Sequence, residues 1–313
     1  MSDIKLFRYS NDHAEELAGH SALVERRLHD LIEKHMECFL GIRFVAHEYS
    51  TGTKHRGRID SLGLDENCCP VIIEYKRHVN ENIINQGLYY LDWLLDHQAE
   101  FKLQIMDRFG SDVADDIEWR GARVLCVAGD FTKFDEHAVA QIGRNIELIR
   151  YKYFSDDLLL LEWLNPVRTD GTADRNATRT TTESDHEPSD DAAHLTSKMV
   201  GKSALCSLSS DMLPLFDEIK SFMFSMGDDI NFKHLRFYFA FTRLRNFVCI
   251  EPYKSLLKVF LKLNPDSVSL DDGFFRDMRT TGHHATGDLM FQCRTMADIE
   301  KAKPLIERAY QEN

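Results

Sequence analysis

GRIDSLGLDENCCPVIIEYKR, residues 57–77, is the stretch on which the reading of the first half of the chain turns. Val71-Ile72-Ile73, opened by Pro70, is a short apolar run of the kind a buried strand shows. It leads straight into Glu74 and Lys76. Residues two apart on a strand share a face, so Glu74 and Lys76 project together while Tyr75 and Arg77 project to the other side. Asp60 stands on a preceding strand, and Gly63, Asp65, Glu66 and Asn67 are turn formers in SLGLDENCCP between them. Pairing the two strands brings Asp60 close to Glu74. Carboxylates that close repel unless a proton or a cation lies between them, and Mg²⁺ prefers such hard oxygen donors together with water. A lysine beside a metal can hold the attacking water and stabilise developing negative charge. The outline is that of phosphodiester hydrolysis. The alternative is a solvated Glu74–Lys76 ion pair with Asp60 in a turn. The apolar run favours a core strand end over a solvated edge.

The remaining composition narrows the class. The chain has 313 residues with 43% hydrophobic content, enough for two domains with real cores. No run approaches the ~18 apolar residues of a membrane span, and MSDIKLFRYSNDHAEELAGH lacks the pattern of a signal peptide. Seven cysteines without CxxC spacing read as reduced thiols of a cytoplasmic protein. The net charge of −13 is not that of a general nucleic-acid coat, so any such contact must be a local patch. Residues 165–198 are rich in Thr, Asp, Ser and Ala and nearly empty of large apolar side chains. That composition cannot offset its ordering entropy and reads as a linker. The expected organisation is an α/β domain at 1–164, a polar linker at 165–204 and a small α+β domain at 205–313.

Within the first domain, helical spacing predicts a helix from Ser21, as N-cap, to Phe39. Strands are expected at 44–49, 58–64, 71–76 and 122–131, helices at 80–97 and 135–149, and a strand or short helix at 157–164. Within the second domain, Asp211–Ser225 reads as a helix and Arg236–Leu263 as β-rich, with period-two alternation from Leu257 to Leu263. Leu289–Cys293 reads as a strand. Thr295 caps a final helix, Met296–Tyr310, with Asp298 at the capping-box position.

GRIDSLG…PVIIEYKR resembles the PD-(D/E)XK nuclease superfamily, and is most similar to the C-terminal catalytic domain of NucS/EndoMS-type DNA endonucleases. In these a G-R-I-D strand is followed by a P-V-[VI]-I-E-x-K-R strand and a helix bearing a glutamine, here Gln86 in NENIINQGLYYLDWL. The resemblance spans roughly Leu23 to Leu164 and is dense from Gly57 to Leu95. It implies a restriction-endonuclease-like, two-layer α/β fold, Mg²⁺ or Mn²⁺ as cofactor, and DNA as the substrate cleaved. By the same resemblance Asp60 and Glu74 are metal ligands, Lys76 is the catalytic lysine and Gln86 the active-site glutamine; the Tyr75 carbonyl, which follows Glu74 along the strand, is expected to join the two carboxylates on the metal. The family also places a glutamate on the first helix. Glu25, Glu33 and Glu37 are the candidates. On a helical projection Glu25 borders the apolar stripe, while Glu33 and Glu37 fall toward water, so Glu25 is chosen. NucS-type enzymes carry a β-rich N-terminal domain that binds DNA and dimerises. Some 20 residues precede the first helix here, so that domain is expected to be missing and the family's DNA preference does not carry over. A homodimer stays open.

Lys54, His55, Arg56 and Arg58 cluster on the loop feeding the Asp60 strand, and with Arg77 are candidate phosphate contacts; a solubilising loop is the alternative. Tyr89, Tyr90 and Trp93 could stack bases or pack the core. Residues from about Leu208 to Gln311 resemble a domain of unknown function found in nuclease-like proteins, on NFVCIEPYKSLLKVFLKLNP and RTTGHHATGDLMFQCRTMADIEKAKPLIERAY. Arg276, Arg279, His283 and His284 there suit phosphate binding or a plain polar loop. GKS at 201–203 is no P-loop, because Thr196 stands where the first glycine is required. Two functions are thus in play: a metal-dependent DNA endonuclease, or a nuclease-fold protein that binds DNA or a partner without cleaving.

Overall fold

The computed structural model describes residues 4–10, 12–22, 25–52, 57–77, 82–155, 157–164, 204, 208–270 and 273–313. The chain divides into two compact units, residues 1–167 and 168–313. Apart from Ala204, the expected linker lies outside the described residues, as do Lys54, His55 and Arg56.

The first unit holds strands β1 (Leu6–Ser10), β2 (His13–Leu17) and β3 (Gly19–His20), then helices α1 (Glu25–Lys34) and α2 (Met36–Leu40). Strands β4 (Ile42–Ser50), β5 (Arg58–Asp65) and β6 (Pro70–Lys76) follow. Helices α3 (Asn82–Asp96), α4 (Gln98–Phe109) and α5 (Ser111–Asp115) lead to β7 (Arg123–Ala128). The unit ends with α6 (Lys133–Gln141), β8 (Ile146–Phe154) and β9 (Leu158–Trp163). The main sheet runs β3-β8-β7-β6-β5-β4, with β9 paired to β8. β6 is parallel to β7 and β7 to β8, whereas β4, β5 and β6 are antiparallel neighbours. Its central strand β6 is apolar on both faces up to Glu74, because helices cover both. α3 packs on β6 and β7 and reaches Glu74 through Gln86, and α1 meets the opposite face at Tyr75. The two-layer expectation is corrected accordingly to helices on both sides of the sheet.

Three local expectations also change. The predicted helix from Ser21 to Phe39 is two helices broken at His35, which is exposed rather than inward, and α2 is closed by Gly41 in the left-handed region. Its Ser21 cap leads into Leu23 and Val24, outside the described residues. The predicted helix at 135–149 stops at Gln141, and Ile146 onward is β8, a buried parallel partner of β7. The turn before β6 is only residues 66–69, closed by Asp65 Oδ1 accepting from the amides of Asn67 and Cys69, both at 2.8 Å. Gly63 is therefore not a turn residue. It lies in β5 opposite Val71, where a Cβ would stand 2.3 Å from Ile42 Cγ2. Gly63→Ala is expected to destabilise this unit by about 1–3 kcal/mol through overpacking, read as a lower midpoint in chemical denaturation; an unchanged midpoint would mean that Ile42 relaxes freely. The β1–β2 hairpin was not foreseen at all.

The second unit contains α7 (Leu213–Met226), β10 (Asn231–His234), β11 (Phe239–Thr242), β12 (Asn246–Pro252), β13 (Leu257–Leu261), β14 (Phe275–Asp277), β15 (Leu289–Cys293) and α8 (Met296–Glu312). Its antiparallel sheet runs β10-β11-β12-β13-β15-β14. α7 and α8 pack together, and the core joins Phe216, Ile219, Phe241, Val259, Phe291 and Ile306. The expected capping box forms: Thr295 Oγ1 accepts from the Asp298 amide, and Asp298 accepts from the Thr295 amide. Arg279 is taken up by Asp266 and Asp277, while His283 stacks on Phe260 and His284 on Phe237. This is the packing of a polar loop, with the two histidines turned to different rings. Among the described residues no helix is long and apolar enough to cross a membrane.

Candidate active site

The site lies where β5 and β6 separate. Their ladder pairs Leu64 with Pro70, Gly63 with Val71, Leu62 with Ile72 and Ser61 with Ile73, and goes no further. At the next position the backbone amides turn to carboxylates instead. Asp60 N–H donates to Glu74 Oε1 at 3.2 Å, and Tyr75 N–H donates to Asp60 Oδ2 at 3.1 Å. Gln86, on the second turn of α3, donates from Nε2 to Glu74 Oε2 at 2.8 Å. The same amide nitrogen lies 3.5 Å from Tyr90 Oη, which accepts from the Arg58 amide at 3.1 Å. Tyr90 and Trp93 are buried, so core packing accounts for both; Tyr89 is exposed.

Glu74 is fully buried. Burial, followed by the charge of Asp60, pushes its carboxyl up to about 9, and the Lys76 ammonium draws it back down. Lys76 is half-buried at the C-terminal end of β6, opposite Ala128 of the parallel neighbour β7. The sheet thus brings Asp60, Glu74, Lys76 and Gln86 to one strand end. A buried and a half-buried carboxylate with one nearby ammonium fit a divalent cation: two carboxylate donors and the Tyr75 carbonyl are hard oxygens, and Mg²⁺ keeps several waters with only one or two carboxylates. Among the described residues there is no group of three His, Cys, Asp or Glu side chains that could hold a metal ion.

The remaining candidates fall around this centre. Glu25 Oε2 accepts from the Arg77 amide at 3.0 Å, one residue beyond Lys76. Arg77 is exposed, and Arg58 is exposed with its guanidinium 3.4 Å from Glu48. Glu33 corrects the helical projection. Its side chain is only 13% exposed and accepts from Ser61 Oγ at 2.6 Å, with His29 Nε2 at 3.3 Å. The projection weighed apolar side chains alone, whereas Glu33 is covered through its hydrogen bond to Ser61, which no apolar stripe contains. Burial opposes charge on both partners, but the Glu33 hydrogen bond and charge hold His29 above its ordinary value, and bonds from His29 and Ser61 hold Glu33 below its own. Sequence reading passed over His29 and Ser61. The period-two rule that pairs Glu74 with Lys76 also sends Ser61 and Tyr75 to the α1 face, which was the available signal.

Residues 202–313 match the family model described as a domain of unknown function, DUF5655. A Haemophilus influenzae protein described as uncharacterized is 23% identical over 309 residues, covering 98% of this chain and 99% of that protein. A repair endonuclease from Pyrococcus abyssi is similar at 18% identity and a TM-score of 0.28, over 41% of this chain and 48% of that one. The EndoMS–dsDNA2 complex is similar at 21% identity and a TM-score of 0.24, over 44% and 47%. The chain spans about half the length of these solved chains.

Proposed function

We propose that residues 1–164 form a metal-dependent DNA endonuclease of the PD-(D/E)XK kind, acting in the cytoplasm, with residues 205–313 as an accessory domain joined by the polar linker 165–204. The observation that carries this is the convergence of Asp60 and Glu74 at a buried strand end, with Lys76 and Gln86 beside them. Asp60, Glu74 and the Tyr75 carbonyl hold Mg²⁺ or Mn²⁺. When bound, that ion supplies Lewis-acid polarisation of a phosphate and a more acidic water. Gln86 fixes the orientation of Glu74 by its 2.8 Å bond to Oε2. Lys76 orients the attacking water through its N–H donors and offsets the negative charge that grows on the phosphate oxygens. Glu25, held at the Arg77 amide, is the family's helix glutamate on this reading. Arg58 and Arg77, with Lys54, His55 and Arg56, contact DNA phosphates around the scissile bond.

Incubation of supercoiled plasmid and single-stranded DNA with and without Mn²⁺ tests the proposal. Strand cleavage that requires Mn²⁺ and stops with EDTA is expected. DNA retained but never cut would instead favour a nuclease-fold binding protein.

A further inference from the structure

Behind the two carboxylates, on the other face of the sheet, stands a second polar group with an unusual relation to the first. Ser61 directly follows Asp60, and Tyr75 directly follows Glu74. Successive strand residues face opposite sides, so each carboxylate shares its strand step with a hydroxyl that points to α1. Ser61 and Tyr75 are both fully buried. Their oxygens lie 3.2 Å apart, joining Ser61, the last β5 residue of the ladder, to Tyr75, two residues past its β6 end at Ile73. Ser61 has a single proton, and its 2.6 Å approach to Glu33 Oε1 uses it; its lone pairs remain for His29 Nε2 at 3.1 Å and for the Tyr75 hydroxyl. The His29 ring also lies against the Tyr75 ring, with centroids 4.4 Å apart.

We propose that this Ser61–Tyr75–Glu33–His29 network is a clamp that sets the separation of Asp60 and Glu74 from behind, so that these four are positioning residues of the site. Ladder hydrogen bonds between β5 and β6 end at Ser61 and Ile73. One step further, what ties the two strands is a pair of bonds from amides to carboxylates on the site face and the hydroxyl contact on the α1 face. The site-face bonds involve the carboxylate oxygens themselves and must adjust when a cation takes those oxygens. The rear contact is independent of them, because it runs between buried hydroxyls that are themselves bonded to His29 and Glu33. Groups that orient metal-binding carboxylates typically change metal affinity 10- to 100-fold when removed. The consequence for metal binding rests on the function proposed above; the positioning itself does not.

The test is residue-resolved amide hydrogen exchange on the full chain, with Mn²⁺ titration alongside, for wild type, Tyr75→Phe and Ser61→Ala. Tyr75→Phe removes one oxygen and leaves the ring packing, so it carries the test if Ser61→Ala fails to fold. The amides of residues 60 and 75 are expected to exchange at least about tenfold faster, while those of Leu62 and Ile72 in the intact ladder keep their protection. Mn²⁺ affinity is expected to fall about tenfold or more. Unchanged exchange at residues 60 and 75 in a folded variant would overturn the clamp. So would an equal rise at all four amides, which marks a general loss of stability. A wild type that takes up no Mn²⁺ would defeat the metal site, and the exchange pattern would still decide the clamp.

Discussion

Glu74→Gln is expected to lose divalent-metal binding and DNA cleavage together. The substitution keeps the shape of the side chain and one oxygen acceptor, so the strand end should persist. It replaces a charged oxygen with an amide N–H₂ facing Asp60 and Gln86, whose own amide donates to Glu74 Oε2. A donor now meets a donor, and one of the two anionic ligands is gone. Burial already disfavours the charged form of Glu74 in the free protein, and a bound cation is the partner that makes both charges favourable at once. Binding to the folded state alone raises stability by mass action, about 2.7 kcal/mol at a hundredfold excess over Kd. Mn²⁺ should therefore raise the melting temperature of wild type and leave that of Glu74→Gln unmoved. Equal shifts in both would place the metal elsewhere.

Lys76→Met is expected to separate chemistry from binding. Lys76 is half-buried at the end of β6, and methionine keeps much of its apolar stem while removing the ammonium. Both carboxylates stay, so Mn²⁺ binding should persist, and DNA affinity should drop only slightly because Arg58 and Arg77 remain. The cleavage rate should fall ~10²–10³-fold, the usual cost of one preorganised electrostatic donor. Single-turnover rates with saturating Mn²⁺ measure this directly. A variant that loses metal and cleavage together would make Lys76 a support for Glu74 and not a participant in the reaction.

Some of this was open to a reader of the sequence and some was not, for physical reasons that differ by residue. The Asp60–Glu74 pairing follows from a two-residue period and a nearby turn, both local, and the strand expected at 71–76 differs from the observed one, Pro70–Lys76, by one residue at its start. α3 with Gln86 was legible because Ile83, Ile84, Leu91 and Leu94 repeat at helical spacing and are all buried. β8 was misread as helix because Ile142, Ile146 and Ile149 also fit a helical period. What decides the matter is its ladder to β7, twenty-odd residues away, with α6 ended before it by the extended backbone of Ile142. Glu33 was assigned to solvent because its partner Ser61 sits 28 positions along the chain. A helical projection contains no such contact. The β1–β2 hairpin was invisible because its residues are mostly exposed and show no apolar alternation to read.

The central claim is that Asp60 and Glu74 form the catalytic pair of a nuclease, and the rate of plasmid nicking in Mn²⁺ by wild type and Asp60→Ala, purified side by side, tests it most directly. The account predicts nicking by wild type that EDTA abolishes and that Asp60→Ala lacks at every Mn²⁺ concentration. Equal nicking by the two proteins would contradict it.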